Sequence, residues 1–195
     1  MVEKKKRIIN IFLLVLVLFA FFLFLNFFST ACNLMPGGIK RPGQSGTETG
    51  EKTAEYAPKI GSPAPLFSLR DLEGEVRKLE DFRGNPVILN FWTTWCPYCV
   101  DEMPLLQELH TSGEDVVVLA VNVRESKESA QKFIVDKGFT FPVLLDSEGK
   151  VFKSYRLRAY PTTFALNAEG IVTSIKIGAF NAAGLEKLVR SAREK

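Results

Sequence analysis

The sequence predicts an α/β domain in three layers, with a mixed central sheet and helices on both of its faces. Two continuous apolar runs, residues 86–92 and 116–123, have the composition of strands that are buried on both faces. Helical patterns follow both runs, and the chain ends with two further strand candidates and an amphipathic helix. Strands that alternate with helices, followed by a hairpin and a helix, are typical of a mixed sheet covered on both sides.

The elements follow one another along the chain. The domain opens with a predicted hairpin, in which apolar patches at residues 66–69 and 76–79 flank Glu73-Gly74. A helix is expected from Cys96 to about Ser112, interrupted by Pro104 because proline lacks the amide hydrogen that the helix needs. The remaining elements are predicted from the spacing of their apolar residues: helices over residues 126–137 and 182–193, and strands over residues 141–145, 162–166 and 171–177, the last two joined by a turn at residues 167–170.

A membrane anchor is predicted in front of this domain. Residues 8–28 form a run of 21 residues without a charge, long enough to cross a hydrocarbon core of about 30 Å. The basic stub of residues 1–7 favours a cytoplasmic N-terminus, with the rest of a single-pass bacterial membrane protein outside the cytoplasm. Residues 29–56 have no apolar period and are predicted to be a flexible extracytoplasmic linker, which leaves residues 57–195 for the domain.

Cys32 leaves a second mode of membrane attachment open. It is an odd cysteine in an exported chain, which lipidation or reactivity would explain. The small residues Thr30 and Ala31 before it fit a bacterial lipoprotein signal, whereas Ser29 stands where such a signal has a residue like leucine. An uncleaved helix is the preferred prediction, and a lipid on Cys32 is the alternative.

The charges are distributed unevenly over the chain. Residues 1–55 contain 7 Lys or Arg against 4 Glu, whereas residues 56–195 contain 18 positive and 18 negative side chains. The net charge of +3 therefore belongs to the N-terminal region. A neutral domain argues against nucleic acid as a partner.

The chemistry is predicted to reside in the segment Trp95-Cys96-Pro97-Tyr98-Cys99, where a buried strand is followed by a helix. A thiol at the start of a helix lies among unpaired backbone N–H groups at the positive end of the helix dipole, which favours the nucleophilic thiolate. Pro97 fits the first helical turn, which does not use its missing N–H. Cys99 follows one turn later on the same side, close enough to exchange a disulfide with Cys96.

Two other interpretations of the cysteine pair are less favoured. A zinc site would need two further ligands, and the chain offers His110 and the remote Cys32, so no metal is expected. A structural disulfide more often joins distant loops than two residues of one helical turn. A redox-active disulfide between Cys96 and Cys99, with no cofactor, is therefore the preferred interpretation.

The domain resembles the TlpA/ResA-like thiol-disulfide oxidoreductases, a branch of the thioredoxin superfamily that faces the periplasm or the outer side of the membrane. The resemblance covers about residues 58–193 and depends on three segments: residues 61–69, residues 79–92 and the Trp95-Cys96-x-x-Cys99 motif. It implies a thioredoxin-like fold, protein thiols and disulfides as substrates, and a membrane thiol carrier as electron donor. It also favours a reductase, for example toward the haem-binding cysteines of apocytochrome c.

Further site residues are implied by the same resemblance. Pro161 falls where the superfamily keeps a cis proline that faces the active-site disulfide, which would leave the backbone of Tyr160 free to pair with an extended substrate. Glu102, three residues after Cys99, is expected to exchange a proton with that thiol, the more so because Asn90 replaces the buried aspartate of thioredoxin. Trp95, together with Pro97 and Tyr98 of the motif, is expected to line the substrate-binding surface.

The dipeptide Pro97-Tyr98 departs from the relatives, since it is the dipeptide of glutaredoxin, and it leaves the direction of electron transfer open. A thiol peroxidase of the peroxiredoxin class is an alternative, because residues 63–69 and Thr93 resemble that class. Leu89, where that class has a proline, argues against it. A redox-regulated binding module on the membrane is the non-enzymatic alternative.

Overall fold

The computed structural model describes residues 56–194. The predicted stub, anchor and most of the linker lie outside these residues, as does Cys32. Among the described residues no helix combines the length and the hydropathy that a membrane span requires.

A single sheet of seven strands forms the middle of the domain, in the order β2-β1-β5-β4-β3-β6-β7. Strands β3, β4 and β5 run parallel to one another, and the outer strands join them antiparallel, so the sheet is mixed as predicted. The strands are β1 Ser68–Asp71, β2 Val76–Lys78, β3 Val87–Trp92, β4 Val117–Val123, β5 Val143–Asp146, β6 Thr162–Leu166 and β7 Val172–Ile177.

Four helices surround the sheet: α1 Pro97–Thr111, α2 Lys127–Lys137, α3 Lys150–Ser154 and α4 Ala182–Ala192. Side chains of α1, α2 and α4 belong to the hydrophobic core on one face. The second core, on the other face, contains Val151 of α3 and Leu79 of a short 3-10 helix, Leu79–Phe82. Helices therefore cover both faces, which confirms the predicted three layers.

The central strand β3 shows why the apolar run predicted a buried strand. All six of its residues are buried, and successive side chains point to opposite faces. Ile88 and Trp92 lie in the core beneath α1, whereas Leu89 and Phe91 lie in the core beneath α3. Burial of each such side chain contributes about 1.5 to 3 kcal/mol, which fixes the strand whose end carries the cysteine motif.

Local signals set the ends of the helices. Ser126 caps α2 by accepting a hydrogen bond from the backbone N–H of Ser129 at 3.2 Å. Gly138 ends the same helix in the left-handed conformation, with φ of 69°, which a glycine adopts without steric cost. The prediction that Pro104 interrupts α1 was wrong. The helix continues through Pro104 from Pro97 to Thr111, because burial of its apolar face outweighs the one missing backbone hydrogen bond.

Candidate active site

The two cysteines lie where β3 ends and α1 begins. Cys96 is the N-cap residue of α1, with extended backbone angles, and Pro97 occupies the first turn. The Cys96 sulfur accepts a hydrogen bond from the backbone N–H of Cys99, with a sulfur to nitrogen distance of 3.3 Å. The sequence therefore places one thiol against the unpaired amides of a helix start, where negative charge on sulfur is stabilised.

The two thiols differ in environment although both are buried. Cys96 is 5% exposed and Cys99 is 0% exposed, and neither is bonded in a disulfide. Burial raises the pKa of the Cys99 thiol strongly, and its hydrogen bond with the Cys96 side chain and the charge of Glu102 raise it further. Cys99 therefore remains a thiol at neutral pH and needs a base before it can attack.

Glu102 lies one helical turn after Cys99 and is buried beneath α1. Its Oε1 accepts a hydrogen bond from Asn90 Nδ2 at 2.7 Å, and its Oε2 accepts one from the Phe180 backbone N–H at 3.1 Å. Burial raises the pKa of Glu102 to about 7, although these two hydrogen bonds and the charge of Lys176 act to lower it. A carboxyl group that titrates near neutrality is suited to accept and return a proton.

Tyr160 and Pro161 lie beside the motif. The peptide bond between them is cis, and the Pro161 carbonyl accepts a hydrogen bond from the Gly178 N–H at 2.8 Å. The ring of Tyr160 packs edge-on against Trp95, with 5.8 Å between ring centroids. Burial raises the pKa of the Tyr160 hydroxyl, whereas the charge of Arg124 acts to lower it.

Two aromatic side chains of the motif face solvent. Trp95 is 67% exposed and Tyr98 is 68% exposed, so they flank the buried Cys96 with apolar surface. Exposed aromatic side chains of this size are common at sites that bind protein partners.

Glu125 holds the loop in front of Cys96, although it was not among the predicted site residues. Its carboxylate accepts hydrogen bonds from the Thr94 backbone N–H at 2.8 Å, from the Thr94 hydroxyl, and from Asn122 Nδ2 at 2.6 Å. Glu125 thereby ties the end of β3 to the end of β4. The sequence does contain a signal for this contact, because Asn122 and Glu125 are polar residues at the end of an apolar strand. The ends of neighbouring parallel strands meet at one edge of the sheet, which brings these residues close to the end of β3.

The structure thus brings the predicted site residues to one end of the sheet. Cys96 caps α1, which carries Cys99 and Glu102, and Trp95 contacts Tyr160 from a distant segment. Within residues 56–194, no group of three or more His, Cys, Asp or Glu side chains is arranged to hold a metal ion. The arrangement supplies a thiol at a helix start, a second thiol within hydrogen-bond contact, and a buried acid one turn further on.

Comparisons with known proteins agree with this geometry. The model of the AhpC/TSA family matches residues 60–175. The thiol-disulfide oxidoreductase ResA of Geobacillus kaustophilus is 40% identical over 143 residues, which cover 72% of this chain and 82% of that protein.

Solved structures show the same fold. The structure of StoA from Bacillus subtilis superimposes with a TM-score of 0.56 and 32% identity, over 64% of this chain and 96% of StoA. The exposed lipoprotein thioredoxin Etrx1 of Streptococcus pneumoniae superimposes with a TM-score of 0.55 and 29% identity, over 65% of this chain and 98% of Etrx1. With its paired thiols and these relatives, the chain belongs to the AhpC/TSA family and is a ResA-like thiol-disulfide oxidoreductase with a thioredoxin-like fold.

Proposed function

We propose that this protein exchanges disulfides with protein substrates through Cys96 and Cys99, on the outer side of the bacterial cell membrane, and that it acts mainly as a reductase. The observation that carries the proposal is the pairing of Cys96, at the helix start, with a buried Cys99 thiol one turn away. Trp95, Pro97, Tyr98, Tyr160 and Pro161 would form the surface against which the substrate lies.

The exchange proceeds in two steps. The Cys96 thiolate attacks one sulfur of a substrate disulfide, which forms a mixed disulfide and releases the other substrate sulfur as a thiolate that takes up a proton. Glu102 then accepts the proton of Cys99, and the Cys99 sulfur attacks the Cys96 sulfur. The second substrate thiol leaves, so the substrate gains two electrons and Cys96 and Cys99 form a disulfide.

Two observations support Glu102 as the proton acceptor. Its pKa of about 7 keeps part of its population ionised at neutral pH, whereas burial holds Cys99 protonated. Its two oxygens are fixed by Asn90 and by the Phe180 N–H, so the carboxylate is held in place when Cys99 must react.

The reductase direction is supported by the resemblance to the TlpA/ResA-like oxidoreductases, of which ResA of Geobacillus kaustophilus is 40% identical to this chain. A strong oxidant would instead be a protein whose reduced form is strongly stabilised. We expect a reduction potential below about −200 mV, and a value near about −120 mV would identify an oxidant instead.

Trapping with variants tests the exchange itself. With a neutral disulfide peptide, the reduced wild type should release the peptide in its dithiol form and form the Cys96–Cys99 disulfide. Cys99→Ala should accumulate a mixed disulfide on Cys96 that mass spectrometry detects, and Cys96→Ser should do neither. Exchange that persists in Cys96→Ser would contradict the proposal, whereas a Cys96→Ser variant that exchanges no disulfides and still functions in cells would favour a redox-regulated binding module. In cells, Cys99→Ala should capture the natural substrates as mixed disulfides. Reduction of a peptide that contains a Cys-x-x-Cys-His disulfide tests whether haem-binding motifs like that of apocytochrome c are substrates.

The membrane location is supported by the apolar run of residues 8–28 and the basic residues before it. Intact mass of the mature protein separates the two modes of attachment. A full-length mass agrees with the helix anchor, whereas loss of residues 1–31 with added acyl mass would replace it by a lipid on Cys32. A membrane thiol carrier as electron donor would be found as a second mixed disulfide that forms with the oxidised protein.

A further inference from the structure

A row of side chains leads away from the reactive cysteine along the surface, and we call it the aromatic ladder. It consists of Trp95, Tyr160, Phe152 and Arg124. Trp95 packs against Tyr160 at 5.8 Å between ring centroids, and Tyr160 packs against Phe152 at 5.3 Å. The Arg124 guanidinium carbon lies 4.9 Å from the centroid of the Phe152 ring, in a cation–π contact.

The backbone and a glycine hold Arg124 at the end of this ladder. Arg124 has a φ of 58°, in the left-handed region that few residues other than glycine adopt, and its N–H donates to the Asp146 carbonyl at 3.0 Å. Gly149 leaves the space for its side chain, because a Cβ at that position would lie 2.4 Å from Arg124 Nε. The guanidinium therefore lies between Gly149 and the face of Phe152.

The polar edge of this guanidinium is not used within the domain. A guanidinium has five N–H donors, and none of those of Arg124 bonds to a described residue. The neighbouring carboxylates are engaged elsewhere: Glu125 accepts from Thr94 and Asn122, and Asp146 accepts from the backbone N–H groups of Val151 and Phe152. The geometry leaves an exposed, positioned fork of donors with no acidic partner.

We propose that the aromatic ladder is a substrate subsite, in which Arg124 binds an aspartate or glutamate that lies near the reacting cysteine of the protein substrate. The inference rests on the proposed function and adds a preference to it. Three contacts of about 5 to 6 Å each separate the Trp95 ring from the Arg124 guanidinium. An extended substrate spans about 3.3 Å per residue, so an acid within about five residues of the substrate cysteine reaches the guanidinium. A carboxylate matches the planar donors of arginine.

Peptides test this preference. Each peptide carries one cysteine in a mixed disulfide with 2-mercaptoethanol. The peptides differ at a single position, which lies two to five residues before or after the cysteine and holds Glu, Gln or Lys. The reduced wild type should favour Glu over Lys in the second-order rate constant of a single exchange by about threefold or more for at least one position, as expected for an exposed ion pair, and the preference should fall with added salt.

Arg124→Asn removes the guanidinium and keeps a residue that tolerates the left-handed backbone. Its matched control is Arg156→Asn, because Arg156 is also exposed, also has a positive φ, of 52°, and lies outside the ladder. Arg124→Asn should abolish the preference for Glu, and Arg156→Asn should retain it. A wild type that treats Glu and Lys alike at every position, or a preference that survives in Arg124→Asn, would overturn the proposal.

Bis(2-hydroxyethyl) disulfide, which has no charge and does not reach the ladder, separates this proposal from the one on which it rests. Both variants should reduce it at the wild-type rate. If the wild type itself failed to reduce it, the oxidoreductase function would be refuted, whereas normal reduction without peptide selectivity would refute the subsite alone.

Discussion

Glu102→Gln is expected to slow the second step of exchange and to change its dependence on pH. The wild-type carboxylate accepts the proton of Cys99, and with a pKa of about 7 its ionised fraction rises from about one tenth at pH 6 to about nine tenths at pH 8. The amide of the variant cannot accept that proton. In the variant, Cys99 loses its proton to solvent, so its rate should rise about tenfold per pH unit, whereas the wild-type rate follows the ionised fraction of Glu102 and rises about tenfold over the whole interval. The ratio of the wild-type rate to the variant rate should therefore fall about tenfold between pH 6 and pH 8, from about 100-fold at pH 6.

A single-turnover assay isolates this step. The mixed disulfide between Cys96 and a neutral peptide is formed first, and the release of the peptide thiol is then followed after acid quench. Attack by Cys96 should change little, because Glu102 acts on Cys99. Glu108→Gln is the matched control, since Glu108 is an exposed glutamate on the same helix and should leave both steps unchanged. A rate ratio that does not vary with pH, or an equal loss in the control, would refute the role of Glu102.

The same variant makes a prediction about stability. In the folded protein Glu102 holds its proton up to about pH 7, whereas in the unfolded chain it loses it near 4.5. Between these values the folded state binds more protons, so the free energy of unfolding of the wild type falls as the pH rises. At 1.36 kcal/mol per pH unit this interval is worth about 3 kcal/mol.

Glu102→Gln should remove this fall in the free energy of unfolding, because glutamine does not titrate. Its amide can accept from the Phe180 N–H and, once the Asn90 amide turns over, donate to Asn90 Oδ1, which has no partner among the described residues. Denaturation of the reduced proteins should therefore show the variant gaining on the wild type by about 3 kcal/mol between pH 4 and pH 8. If the free energies of unfolding of the two proteins changed in parallel with pH, the buried carboxyl of Glu102 would not lower the stability as the pH rises.

Two further variants test contacts outside the cysteine pair. In Glu125→Gln, one carboxylate oxygen is replaced by an NH₂ group, which cannot accept the hydrogen bond that Thr94 or Asn122 donates. We therefore expect a loss of about 1 to 3 kcal/mol in the free energy of unfolding, and slower attack by Cys96. Unchanged stability and an unchanged first-step rate would show that the loop is fixed without Glu125. Tyr155→Phe removes a buried hydroxyl that donates to the Pro65 carbonyl at 2.9 Å, and denaturant melts should show a loss of about 1 to 2 kcal/mol with no change in exchange rate. An altered exchange rate would connect this residue to the site.

The strands and long helices could be predicted because their signals are local. The apolar runs predicted β3 and β4 to within one residue, and Ser126 and Gly138 mark the two ends of α2. The short helix α3 was missed. Five residues are too few to show a helical period, and its first turn is held by the buried Asp146, which accepts hydrogen bonds from the Val151 and Phe152 N–H groups.

The candidate site was predictable in part for the same reason. Cys96, Cys99 and Glu102 are neighbours on one helix, so their spacing shows that they lie together. The contacts that complete the site join segments far apart in the chain: Glu125 bonds Thr94 from 31 residues away, and the Phe180 N–H reaches Glu102 across 78 residues. No local pattern contains that information, although the edge where β3 and β4 both end was the place to search for it.

These distant contacts have a consequence for the chemistry. The helix start that holds Cys96 is a local structure, but the acid that serves Cys99 is positioned by Asn90 of the central strand and by the N–H of Phe180, which precedes α4. Since the carboxyl is held between Asn90 and the backbone of Phe180, two segments far apart in the chain, its burial requires the complete fold. A peptide of residues 96–111 alone would retain both cysteines and lose the raised pKa of Glu102. Disulfide formation can therefore occur in such a fragment, whereas rapid release of a substrate requires the folded domain.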